Sequence, residues 1–198
     1  MRILGVDPGS RFVGFGMIGI HGHAYHCLDY GVIRAVHLKH LDEKLLCIFQ
    51  AIQALLHKHK PDAVAIEGIY GKPQKMHGAL LLGQARGAAL LAVALEKVPV
   101  FEYAPSRIKK AVGAGGNSSK AAVMRMVHML LQLPKQRMRS DAYDGLAIAL
   151  CHAHAVLGLG RSTLSTSPKL SASPASKGPA SSFAERLKTS YVAPKEAK

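Results

Sequence analysis

Four carboxylates in this 198-residue chain stand where carboxylates do chemistry. Asp7 ends the apolar run Ile3, Leu4, Val6 and is followed at once by Pro8-Gly9. Glu67 ends a second apolar run, Ala63 to Ile66. Asp141 and Asp144 open the helical stretch SDAYDGLAIAL, three residues apart and therefore on one face. Plainer roles exist for three of them. Asp7 suits an Asx turn, and acids in a first helical turn are favoured by the helix dipole, with Ser140 expected as the N-cap. Glu67 resists such an account, because a strand this apolar is interior and an acid at its tip needs a partner or a metal. If the two strands are neighbours, Asp7 and Glu67 meet at one end of a sheet. Carboxylates that converge repel one another unless a cation joins them, and all-oxygen ligands select hard ions such as Mg²⁺ or Mn²⁺. A paired-metal carboxylate cluster in a basic protein points to phosphodiester hydrolysis.

The elements that must position these acids are legible from periodicity. Strands are predicted over 2–7, 12–20 and 25–35, the last two joined by the turn-like HGHA, then over 62–67 and 98–103. Helices are predicted over 39–59, 77–96, 105–112, 118–132 and 140–155. Three strands in hairpin order followed by alternating helix and strand describe an α/β fold with a mixed five-stranded sheet flanked by helices. The stretch GALLLGQARGAALLAVAL is long and apolar, but Arg86 near its middle opposes membrane insertion, so a buried helix is expected.

Composition limits the function classes. Net charge is +14; from Val156 onward seven Lys/Arg oppose two acids (+5), which leaves nineteen against ten (+9) in residues 1–155. The folded part is basic in its own right, as a polyanion-binding domain would be. Residues 1–155 therefore read as one nuclease-sized domain. Residues 156–198, rich in Ser, Pro, Ala and Lys, read as a basic disordered tail. Cys27, Cys47 and Cys151 are odd in number, widely spaced and without a C-x-x-C, which fits a reducing cytoplasm rather than a disulfide frame or zinc site. No signal peptide precedes the first strand. His21, His23, His152 and His154 do not suggest a transition-metal site, since the spacing of the last two separates them on a helix.

Two basic segments are candidates for holding nucleic acid. IYGKPQKMHG carries Lys72 and Lys75, with Tyr70 three residues after Glu67 as a platform for an unstacked base. RIKKAVGAGGNSSK places Arg107, Lys109, Lys110 and Lys120 around a Gly-rich turn and a helix N-terminus, which together suit phosphate. In the long helix, Gly83 and Gly87 are four residues apart among alanines, a surface that admits another helix closely.

ILGVDPGSRFVGFGMI, AIEGIY, LLLGQARGAALLAV, PVFEYAPSRIKKAVGAGGNSSKAAV and SDAYDGLAIALCHAH together resemble the crossover-junction endodeoxyribonuclease RuvC family of bacterial Holliday-junction resolvases. The resemblance runs in order through nearly all of residues 1–155 and does not extend to the tail. It implies a ribonuclease-H-like fold with Asp7, Glu67, Asp141 and Asp144 as catalytic metal ligands holding two Mg²⁺, with Mn²⁺ as a substitute. It matches Tyr70 to an aromatic position and Lys109 and Lys120 to basic positions, with Lys120 also a candidate neighbour of the metals. It further implies a homodimer, formed through the Gly83 and Gly87 helix, that works with the RuvA–RuvB branch-migration machinery. The expected function is paired symmetrical nicking of four-way DNA junctions in recombination and repair. Two rivals share parts of this pattern: a YqgF-type RNA-processing nuclease, which should lack the DPGS start and the LLGQARG helix, and a non-catalytic junction-binding module, which has no need of four acids.

Overall fold

The computed structural model describes residues 1–22, 24–68, 76–115, 118–134 and 138–158. In chain order the elements are β1 (Arg2–Asp7), β2 (Phe12–His21), β3 (Ala24–Arg34), α1 (Leu41–His59) and β4 (Ala63–Glu67). They continue as α2 (Met76–Leu95), β5 (Val100–Tyr103), α3 (Pro105–Ala111), α4 (Lys120–Leu130) and α5 (Ser140–Val156). Every predicted strand and helix is present, with boundaries moved by at most two residues. The chain divides into two units after Thr163. The second, with most of the expected tail, lies outside the described residues, as do Tyr70, Lys72 and Lys75.

The five strands form one sheet in the order β3-β2-β1-β4-β5. β1 is its centre, antiparallel to β2 and parallel to β4, and β4 is parallel to β5. The two parallel crossovers carry α1 and α2 on one face of the sheet, and α3, α4 and α5 cover the other, so both faces are buried. Strand alternation divides the core accordingly. Leu4, Val6, Val64 and Ile66 point into the layer shared with α1 and α2, where Ile48, Ile52, Ala85, Ala89 and Ala92 are buried. Ile3, Ala65 and Tyr103 point into the opposite layer, with α3, α4 and α5. The same period of two puts Asp7 and Glu67 on the α5 face.

Two expectations are corrected here. The N-cap of α5 is Arg139, whose side chain makes no capping bond, and Ser140 is already helical. The α2 helix is long and apolar enough to cross a membrane by length and composition, with a mean hydropathy of 1.6 over His77–Leu95, but it is not buried all round. Ala85, Ala89, Ala92 and Val93 are covered, while Leu80, Leu91 and Leu95 are about half exposed. Gly83 and Gly87 share the exposed side, and a Cβ on either would meet nothing within 4 Å. The three cysteines are free; only Cys151 is fully buried.

Candidate active site

The site forms where β1 and β4 end. Val6 pairs with Ile66, so the next residues, Asp7 and Glu67, end adjacent parallel strands side by side. Interior strands in a packed sheet cannot move their tips, which gives both carboxylates fixed positions. Asp144 reaches them from α5, the helix that crosses β1 and β2.

Glycine decides how close α5 comes. A Cβ on Gly5 would strike the Gly145 carbonyl oxygen and the Ala149 amide. One on Gly14 would strike the Asp141 carbonyl, and one on Gly16 the Leu146 backbone. From the helix side, a Cβ on Gly145 would strike Phe15 and Gly16 backbone atoms. Backbone therefore lies on backbone, far closer than the ordinary distance set by side chains. Asp7 pairs with Gly14 across the β1–β2 ladder, so the same seat that admits α5 sets its acids beside Asp7. Sequence reading assigned no role to these glycines; the signal available was three of them at alternate positions on adjoining strands, facing a helix with one of its own.

Asp7, Glu67 and Asp144 line a single cavity of about 300 Å³ together with Lys109, Lys120, Pro105, Ile108, Val123 and Ala147. Burial, then the charges of Asp144 and Glu67, push the Asp7 carboxyl from 3.8 up to about 7. Burial also raises the Glu67 carboxyl, with Asp144 adding to it and Lys109 and Lys120 opposing. Asp144 is raised by burial as well, against the pull of its bond to Lys120. Lys120 is the first residue of α4, where Ser119 caps the helix by accepting from the Ala122 amide. Its Nζ stands 2.7 Å from Asp144 Oδ2. Burial disfavours that ammonium, yet the Asp144 bond and the charges of Asp144, Asp141 and Asp7 hold its proton above the ordinary value.

The remaining sequence-predicted residues are spread more widely. Asp141 does not line the cavity; its Oδ2 lies 3.3 Å from Arg139 Nε. Lys110 is exposed, and Arg107 turns to the Tyr103 ring, 5.0 Å from its centroid. Neither joins the cavity lining. His152 is buried against Phe101 and shares a 2.7 Å hydrogen bond with the Tyr103 hydroxyl, whereas His154 donates to the Ala111 carbonyl.

The donor set is all oxygen, and the acids suppress one another's ionisation, which is the chemistry of a hard-cation site. The arrangement is nonetheless partly closed by the chain's own cations. Among the described residues, no three His, Cys, Asp or Glu side chains are already grouped as a metal would hold them. Lys120 instead pairs with Asp144, one of the carboxylates that would hold such an ion.

Comparisons with known proteins identify the family. The sequence model described as "Crossover junction endodeoxyribonuclease RuvC" matches residues 3–152. The RuvC of Myxococcus xanthus is 46% identical over 197 residues, covering 98% of each chain. That alignment reaches into the segment after Val156, which therefore has a counterpart there, contrary to the sequence expectation. The RuvC of Protochlamydia amoebophila is 43% identical over 151 residues, covering 76% of this chain and 89% of its own. Among solved structures, Thermus thermophilus RuvC in complex with Holliday junction substrate superposes with a TM-score of 0.71 at 31% identity, covering 80% of this chain and 97% of that one. With a match that spans the sheet, the long helix and all four acids, this chain belongs to the crossover junction endodeoxyribonuclease RuvC family.

Proposed function

We propose that this chain resolves Holliday junctions by paired symmetrical nicks in DNA recombination and repair, using Asp7, Glu67, Asp141 and Asp144 to hold two Mg²⁺ ions. The observation that carries this reading is the convergence of Asp7, Glu67 and Asp144 with Lys109 and Lys120 on one cavity at the rigid end of the central strands. The chemistry bound Mg²⁺ supplies is activation of water for in-line attack and stabilisation of the departing oxyanion; Mn²⁺ is the expected substitute.

The residues themselves do the rest. Asp7 and Glu67 fix the geometry from strand tips, and Asp144 and Asp141 close it from α5. Asp7 holds a proton up to about pH 7 and would have to give it up to serve as a cation's ligand. Lys109 and Lys120 line the same cavity and would offer their ammonium groups to the phosphate backbone, Lys120 once a cation took Asp144. Lys110 adds charge at the rim, and Arg107 extends the basic surface from its seat on Tyr103. Tyr70, Lys72 and Lys75 serve the unstacked bases and phosphates near the crossover.

The half-exposed apolar stripe of α2, with bare Gly83 and Gly87 along it, is the surface a second copy covers. A twofold dimer offers two active sites to a junction of matching symmetry. The enzyme acts in the cytoplasm alongside the RuvA–RuvB complex. A gel assay on four-way junctions, linear duplex and structured RNA, with Mg²⁺ and with chelator, tests the whole reading. Mg²⁺-dependent cutting of the junction alone supports it; preference for RNA, or binding without cutting, contradicts it.

A further inference from the structure

Each acid of α5 carries its own counter-ion. Lys120 holds Asp144, and Arg139 holds Asp141. The two cations differ in how they are themselves held. Arg139 is pinned from behind: its Cζ lies 4.0 Å from the centroid of the Phe12 ring, at the first residue of β2. A guanidinium stacked on an aromatic face keeps its in-plane N–H groups free for anions. With 51% of the side chain exposed and only Nε engaged by Asp141, the remaining donors are open to solvent. Asp141 meanwhile stays off the cavity lining, although its charge is felt at Asp7 and Asp144.

We infer that Arg139 is a positioning residue that couples cation loading of the site to capture of the DNA strand. It keeps Asp141 as an ion pair until a divalent cation takes that carboxylate. The released guanidinium, still seated on Phe12, then pairs with a backbone phosphate at the cavity mouth. The inference rests on the nuclease reading above. Its physics is competition: a carboxylate shared with Arg139 has less to offer a cation, and a phosphate removes that handicap by giving Arg139 another anion. Coupling of this kind is reciprocal, so the cation tightens DNA by the factor with which DNA tightens the cation.

Two titrations on the full-length protein test it. The first is Mn²⁺ binding without DNA, read by the loss of the free-ion paramagnetic resonance signal. The second is junction affinity by fluorescence anisotropy, in Ca²⁺ and in chelator. Arg139→Gln should bind Mn²⁺ about fivefold more tightly, the size of a strong exposed ion pair. Its gain in junction affinity on adding Ca²⁺ should shrink by about the same factor. Arg139→Lys, which keeps the charge but not the stacked fork, should return Mn²⁺ affinity toward the wild-type value and restore the Ca²⁺ gain only in part. Arg139→Gln gives up the Asp141 ion pair and the Phe12 stacking, so its metal-free melting point should fall slightly, and both titrations are read on the folded protein. An Arg139→Gln protein that binds Mn²⁺ no more tightly, or keeps the full Ca²⁺ gain, overturns the inference while leaving the nuclease reading intact. A wild-type protein that binds no Mn²⁺ overturns both.

Discussion

Replacing Asp7 by Asn should make the metal-free protein more stable while abolishing its chemistry. In the folded chain Asp7 holds its proton up to about pH 7, against 3.8 for an ordinary aspartate. Folding therefore takes up a proton between pH 4 and 7, and stability is lost as pH rises through that window. At about 1.36 kcal/mol per pH unit, the full difference is worth about 4 kcal/mol above pH 7. Asn imitates the protonated acid at every pH and removes that cost. Neighbouring acids and Lys120 readjust once the charge is gone, so a gain of about 2–4 kcal/mol is expected in practice. For a domain of this size that is roughly 5–15 °C in melting temperature. The assay is thermal or urea denaturation in chelator at pH 4 and pH 8. The variant should exceed wild type at pH 8 and match it at pH 4. Saturating Mg²⁺ should reverse the order, because only the wild type gains from binding. An Asn variant no more stable than wild type at pH 8 in chelator would refute the claim that burial, with the neighbouring acids, keeps Asp7 protonated up to neutrality.

The other predictions concern the scaffold. Gly14→Ala should push the start of α5 off β2, costing at least the 1–3 kcal/mol typical of overpacking and lowering nicking by more than it lowers junction affinity, measured in parallel on the folded fraction. Gly87→Leu should leave the fold unharmed, since its side chain has open space, yet shift sedimentation from dimer to monomer and turn paired cuts into single nicks. His152 is buried and its imidazole is held down to about 4, from 6.5, by desolvation, so it contributes stability above pH 6.5 that is lost as pH falls through 4. His152→Gln should flatten that acid-side decline in urea midpoints, a slope opposite in sign to that of Asp7.

Much of this architecture was legible because its signals are local. The apolar runs ending in Asp7 and Glu67 name two interior strands and their tips at once, and helical spacing from Leu41 to Leu56 names α1. What escaped reading depends on partners far apart in the chain. Gly5, Gly14 and Gly16 look like weak points in strands until α5, more than a hundred residues later, is seen resting on them. Arg139 looks like one more basic residue before a helix until Phe12 is found beneath it. The α2 helix misled for another reason: alanine and leucine lie on every side of it, so composition could not tell its covered face from its open one. The roles of Asp141 and Lys120 escaped in part because charge pairing between α4 and α5 leaves no periodic trace in sequence.

The central claim is that these acids, in a twofold dimer, cut both strands of a four-way junction through bound metal. A supercoiled plasmid with an extruded cruciform measures this directly, since two nicks made within one binding event yield linear DNA and isolated nicks yield open circles. The wild type with Mg²⁺ should give linear product from the start of the reaction, and none in chelator. The Asp7→Asn, Glu67→Gln, Asp141→Asn and Asp144→Asn variants should each bind the cruciform and leave it uncut. Linear product in chelator, or wild-type cutting by any of the four variants, would contradict the account.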